Sequence, residues 1–100
     1  MESAYQECLI HEFRLQRISY ESEVPVYIDY KGLIVGDVYR ADLLVDEKLI
    51  VELKAVEQIS PIHKAQLLTY LRLVKKPLGL LINFNTVVLK DGICRVVNNV

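Results

Sequence analysis

Tyr5, Cys8, Leu9 and Phe13 form one apolar stripe at helical spacing and predict a helix over residues 2–17. The period then drops to two. Val24, Val26, Ile28 and Tyr30 alternate with Glu23, Tyr27 and Asp29, as in a strand over 20–30. Pro25 removes a ladder donor, so this strand lies at a sheet edge or carries a bulge. Tyr30-Lys31-Gly32 reads as a turn, and residues 33–45 as a second strand with Gly36 a candidate bulge. Asp46-Glu47-Lys48 is a polar turn into a third strand over 49–56. Ser60-Pro61 then has the form of a helix start, with serine capping and proline at the first helical position. That helix runs to about residue 75, where Lys75 and Lys76 suit the negative end of its dipole and Pro77 stops it. Residues 78–84 are almost wholly apolar, as in a central strand, and 86–89 and 93–97 flank Lys90-Asp91-Gly92 as a terminal hairpin. The order is α-β-β-β-α-β plus a hairpin: an α/β (α+β) mixed sheet with helices, in a single domain over residues 1–100.

One run breaks the pattern. Residues 50–56, Ile-Val-Glu-Leu-Lys-Ala-Val, carry Glu52 and Lys54 inside an otherwise apolar strand. Burying either charge costs several kcal/mol unless it is paired or bound to a metal. If 46–48 is a three-residue hairpin loop, Val45 pairs with Leu49 and Asp42 falls opposite Glu52. Lys54 then shares the Glu52 face, with Arg40 across from it. A slip of one residue would move Asp42 to the other face. Two carboxylates roughly 5 Å apart repel each other, and a divalent cation between them reverses that. Oxygen ligands of this kind suit Mg²⁺ or Mn²⁺.

The next helix adds His63, Gln66 and Tyr70 on one stripe. Gln66 can orient a water or a phosphate oxygen, Tyr70 can donate a hydrogen bond, and Lys54 can place a cation beside a metal-bound water. These are the parts of metal-assisted phosphodiester hydrolysis. The bland alternative is a surface ion ladder of Glu52, Lys54, Arg40 and Asp42 with no metal. The company of Leu43, Leu44, Ile50, Val51, Leu53 and Val56 speaks against it, because such a strand has little solvated face.

Composition narrows the classes. A hydrophobic fraction of 52 % in 100 residues suits a buried sheet or a subunit interface. The net charge of −1 hides an asymmetry: residues 1–57 carry a net −6, whereas 58–90 hold five bases and no acid. The latter is a solvated basic helix face or a phosphate-facing patch. Cys8 and Cys94 are far apart, as free thiols of a reducing compartment are, and two lone histidines argue against structural zinc. With no signal peptide and no apolar run of about 18 residues, a soluble cytoplasmic protein is expected.

Asp42 with Glu52-Leu53-Lys54 across a hairpin, on this chain order, resembles the PD-(D/E)XK nuclease superfamily. "QLLTY" at 66–70 is similar to the Gln-Xaa-Xaa-Xaa-Tyr element of its recombination-exonuclease branch. More closely, "YRADLLVDEKLIVELKAV", "HKAQLLTYLRL" and "LGLLINFN" resemble the small bacterial GxxExxR proteins. The resemblance implies a restriction-endonuclease-like core. It implies Asp42 and Glu52 as metal ligands, with the Leu53 carbonyl as a third. Lys54 would position or activate the attacking water, and Gln66 and Tyr70 would support the site. The implied reaction is Mg²⁺- or Mn²⁺-dependent DNA cleavage, and a homodimer is expected. Members carry a further N-terminal helix and a Gly-Xaa-Xaa-Glu segment, of which Glu2-Ser3-Ala4-Tyr5 matches the Glu-Xaa-Xaa-Tyr part. Glu2 is a candidate extra ligand, at a terminus prone to fraying. A nuclease-like module that binds nucleic acid or a protein without cutting is the alternative.

Overall fold

The alternating and apolar runs assemble as one mixed sheet. The computed structural model describes residues 2–99, with the backbone alone at positions 37 and 38. Among the described residues five strands lie in sequence order. They are β1 (Tyr20–Tyr30), β2 (Leu33–Val45), β3 (Leu49–Lys54), β4 (Leu78–Asn83) and β5 (Ile93–Val97). Helix α1 (Glu2–Leu15) precedes them, and α2 (Pro61–Val74) joins β3 to β4. The β3–β4 pair is parallel and the other neighbours are antiparallel. A parallel pair needs a crossover, and α2 supplies it.

Each helix covers one sheet face. On the α2 side Ala41, Ile50, Leu67, Leu71 and Leu81 form a buried cluster. On the α1 side Leu43, Val45, Val51 and Leu53 do so, with Leu9, Ile10 and Phe13 of α1 packed on them. Ile50 and Val51 therefore point opposite ways, as strand period two demands. Each fully buried leucine stabilises the fold by roughly 1.5–3 kcal/mol relative to exposure.

Strand β1 is an edge strand, as Pro25 requires. The register slip falls between Val26 and Ile28, opposite Tyr39 and Val35, so the extra residues lie on β2 around Gly36. The Tyr27 ring sits over Gly36, where a Cβ would come within 3.2 Å of it. A second irregularity matters more. Ala41 belongs to the α2 cluster and Leu43 to the α1 cluster, although strict alternation would put both on one face. Their partner strand reverses at the same level: Tyr20 packs with the α1 cluster, Val24 with the α2 cluster, and Glu23 between them has φ 51. Both strands thus turn over at Glu23 and Asp42.

The C-terminal hairpin differs in detail from the expectation. Residues 86–89 are not a strand; β5 pairs with β4, and a 3₁₀ turn spans Leu89–Gly92. The Thr86 hydroxyl lies within hydrogen-bonding distance of the Asn83 and Val88 carbonyls. A side chain at Gly92 would collide with the Asn83 carbonyl oxygen, so only glycine fits there. Strand β3 stops at Lys54, two residues earlier than predicted, because the Asn83 side chain replaces the ladder beyond it.

Candidate functional site

The site begins where the β2–β3 ladder opens. The pairs Val45↔Leu49, Leu44↔Ile50 and Leu43↔Val51 follow the expected register. The next rung, Asp42 with Glu52, is not a ladder pair; side chains take over from the backbone. Asp42 Oδ2 accepts the Leu53 N–H at 2.8 Å. The Asp42 backbone N–H in turn donates to the Glu52 carboxylate. In an extended strand a residue's N–H and C=O leave on the same side, so the Leu53 carbonyl also faces the opening toward Asp42. Lys54 faces the other way, its carbonyl accepting the Phe84 N–H at 2.9 Å. Arg40 pairs with Pro25 in the β1 ladder, outside the β2–β3 rungs.

Glu52 is 4 % exposed, on the α2 face of β3. Burial pushes its carboxyl up to about 7, against the lowering effects of Lys54 and the Asp42 N–H, while Glu23 and Glu2 add repulsion. The Asp42 carboxyl is also raised. Burial is the largest cause, the Leu53 N–H opposes it, and Glu23, Lys54 and Glu2 follow in that order. The Tyr39 hydroxyl donates to Glu52 Oε1. Desolvated acids with specific charge partners concentrate in functional sites.

Helix α2 supplies the opposite wall. A cleft of about 160 Å³ is lined by Tyr39, Glu52, Lys54, His63, Gln66 and Tyr70, floored by Leu67 and Leu81. The stripe of His63, Gln66 and Tyr70 thus meets the faces of Glu52 and Lys54. The Tyr70 hydroxyl is raised above its ordinary value, first by burial and then by the charge of Glu52, and so stays a donor. His63 Nδ1 accepts the Ser60 N–H at 3.1 Å, which leaves the proton of its neutral form on Nε2. A larger hollow of about 490 Å³ beyond the start of α2 is lined by Glu57, Lys64, Asp91 and Arg95. Those charges are all exposed, so it lacks a desolvated acid.

Three further neighbours complete the surroundings of the two acids. Gln6 of α1 donates from Nε2 to the Asp42 carbonyl at 3.3 Å and reaches Glu23 Oε1 at 3.5 Å. Glu2, on the first turn of α1, lies close enough to raise both acids. Asn83, 2 % exposed, accepts the Val56 N–H at 3.1 Å and donates to the Val56 carbonyl at 2.8 Å. It fixes the segment that carries Lys54 out of the sheet. Of the three, Glu2 is the one the sequence offers, as a candidate extra ligand; Gln6 and Asn83 carry no such signal.

Among the described residues no group of three or more His, Cys, Asp or Glu side chains is arranged to hold a metal. The donor set available is two carboxylates and a backbone carbonyl, all oxygen. It suits a hard divalent cation that keeps several of its waters, and the two desolvated carboxylates are the charge such an ion would neutralise.

The chain belongs to the PD-(D/E)XK nuclease superfamily, whose family model matches residues 1–96. The crystal structure of SSO0001 is similar at a TM-score of 0.64 and 21 % identity, over 98 % of this chain and 50 % of that one. The chain therefore spans half the length of that neighbour, and the likeness is one of fold. No curated protein matches it. The mixed sheet with flanking helices is the restriction-endonuclease-like arrangement. No helix among the described residues is long and apolar enough to cross a membrane.

Proposed function

We propose that the protein is a Mg²⁺- or Mn²⁺-dependent nuclease that hydrolyses DNA phosphodiester bonds. The observation that carries this reading is the desolvated Glu52 carboxyl, with Lys54, Gln66 and Tyr70 in one cleft and Asp42 at the adjoining rung. Asp42, Glu52 and the Leu53 carbonyl would hold the ion. When bound, the ion supplies Lewis acidity toward a phosphoryl oxygen and a water acidic enough to attack. The chain's own groups do the rest. Lys54 places positive charge where negative charge develops on phosphorus and orients the water. Gln66 offers an amide to the water or a phosphate oxygen, and Tyr70 donates its hydroxyl. Tyr39 holds Glu52 in one orientation, and Gln6 anchors Asp42 to α1. Within the superfamily, the small bacterial GxxExxR proteins are the branch the quoted segments resemble most. A cytoplasmic homodimer fits the reading: two copies double a small contact surface.

The acidic balance of residues 1–57, a net −6, favours a second reading. It fits a nuclease-like module that binds nucleic acid or a protein partner without cutting it. Nicking of plasmid and of single-stranded circular DNA decides between them. The first reading expects nicking that needs Mg²⁺ or Mn²⁺, stops in EDTA, and is lost in Asp42→Ala and Lys54→Ala while their far-UV spectra stay unchanged. Binding with a steep salt dependence and no nicking would establish the module instead.

A further inference from the structure

Two aromatic rings flank the site on the side away from α2. Tyr5 of α1 and Phe84, the residue after β4, stack with centroids 4.1 Å apart and an interplanar angle of 0°. With Ala55 and Asn85 they line a hollow of about 320 Å³, and both rings are only partly buried. Each half of this pair is tied to a residue of the site. The Phe84 N–H donates to the Lys54 carbonyl at 2.9 Å. Tyr5 precedes Gln6, whose side chain reaches the Asp42 carbonyl at 3.3 Å. Ala55, which lines the hollow beside the stacked rings, follows Lys54 directly, and neighbouring Cα atoms are about 3.8 Å apart. The backbone here is fixed rather than loose: Asn85 donates its N–H to Asn83 Oδ1 and its Nδ2 to the Val56 carbonyl, at 3.2 Å each.

We infer that the hollow formed by Tyr5, Phe84, Ala55 and Asn85 is a stacking site for an unpaired nucleobase, and that the substrate is single-stranded DNA. The inference rests on reading the adjoining cleft as a nucleic-acid site. Ala55 and the Phe84 N–H join the hollow to Lys54, so a strand whose phosphate lies against Lys54 would continue toward the rings. An aromatic face accepts any base by stacking, and it reaches that face only when the base is out of a duplex. Stacking itself tolerates any base, and the Asn85 amide oxygen can accept from the exocyclic amine that thymine lacks.

The test is binding in EDTA, where nothing is cut, using a 20-nucleotide single strand with 2-aminopurine substituted at successive positions. A blunt hairpin duplex of the same sequence serves as the comparison. Wild type is expected to bind the single strand at least tenfold more tightly than the hairpin and to quench 2-aminopurine. Phe84→Leu and Tyr5→Leu keep the apolar volume and remove a ring. Each should weaken single-strand binding by about tenfold and restore the fluorescence, with hairpin binding unchanged. If Phe84→Leu does not fold, Tyr5→Leu decides alone, since it lies on the surface of α1. Equal or tighter binding of the hairpin, or leucine variants that bind and quench as wild type does, overturns the inference. A protein that stacks the base yet never cuts in Mg²⁺ would fail as a nuclease while the stacking site stands.

Discussion

Replacing Glu52 by glutamine removes one ionisation and keeps the length of the side chain. In the metal-free fold the Glu52 carboxyl is raised from 4.5 to about 7 by burial. The folded state therefore holds this proton more tightly than the unfolded chain does. Stability from Glu52 is full below pH 4.5, falls as pH rises toward 7, and is flat above that. The gap between the two values converts to about 3 kcal/mol lost across that window. Glutamine abolishes the loss. It also turns its amide nitrogen toward one of two donors, the Tyr39 hydroxyl or the Asp42 N–H, at a cost of about 1–3 kcal/mol at every pH. The informative quantity is thus the change with pH. Asp42 titrates in both proteins and cancels in the comparison. Urea unfolding in EDTA at pH 4.5 and pH 8 should show wild type losing about 3 kcal/mol more than Glu52→Gln. Equal losses in the two proteins would refute the claim that Glu52 is desolvated and unneutralised in the metal-free fold.

Other expectations follow from single contacts. Tyr39→Phe removes a donor to a buried carboxylate and should cost about 1–3 kcal/mol in urea unfolding at pH 8, with a smaller loss at pH 5, where Glu52 is protonated. Asn83→Ala removes its two bonds to Val56, leaving the carbonyl only the Asn85 amide, and should lower stability by about 2–3 kcal/mol, with faster amide hydrogen exchange at Val56 than at Val51.

The sequence carries the site unevenly, for physical reasons. Glu52, Lys54 and the α2 stripe were legible because period two and period 3.6 both hold there, and because Ser60-Pro61 pins the start of the helix. The hairpin register was legible from the polar turn at 46–48. Tyr39 was not. Strict alternation places it on the face opposite Glu52, and only the reversal at Glu23 and Asp42 brings its hydroxyl to that carboxylate. A non-glycine residue at φ 51 leaves no mark in composition. Asn83 read as strand and is the last residue of β4, but nothing in its apolar run showed that its amide extends the ladder to Val56. Residues 86–89 have strand composition, but the neighbouring edge of β4 is already occupied by β5. Gln6 belongs to the site through tertiary placement of α1, which no local pattern encodes.

The pairing of Asp42 with Glu52 at one ion is tested most directly by calorimetric titration of Mn²⁺ at pH 7 in two buffers of different ionisation enthalpy. Wild type should bind one ion per chain and release part of a proton on binding, because Glu52 is about half protonated near pH 7 before the ion arrives. Asp42→Ala should lose most of the heat, and Glu52→Gln both the heat and the proton. Binding heats in Asp42→Ala equal to those of wild type would contradict the account.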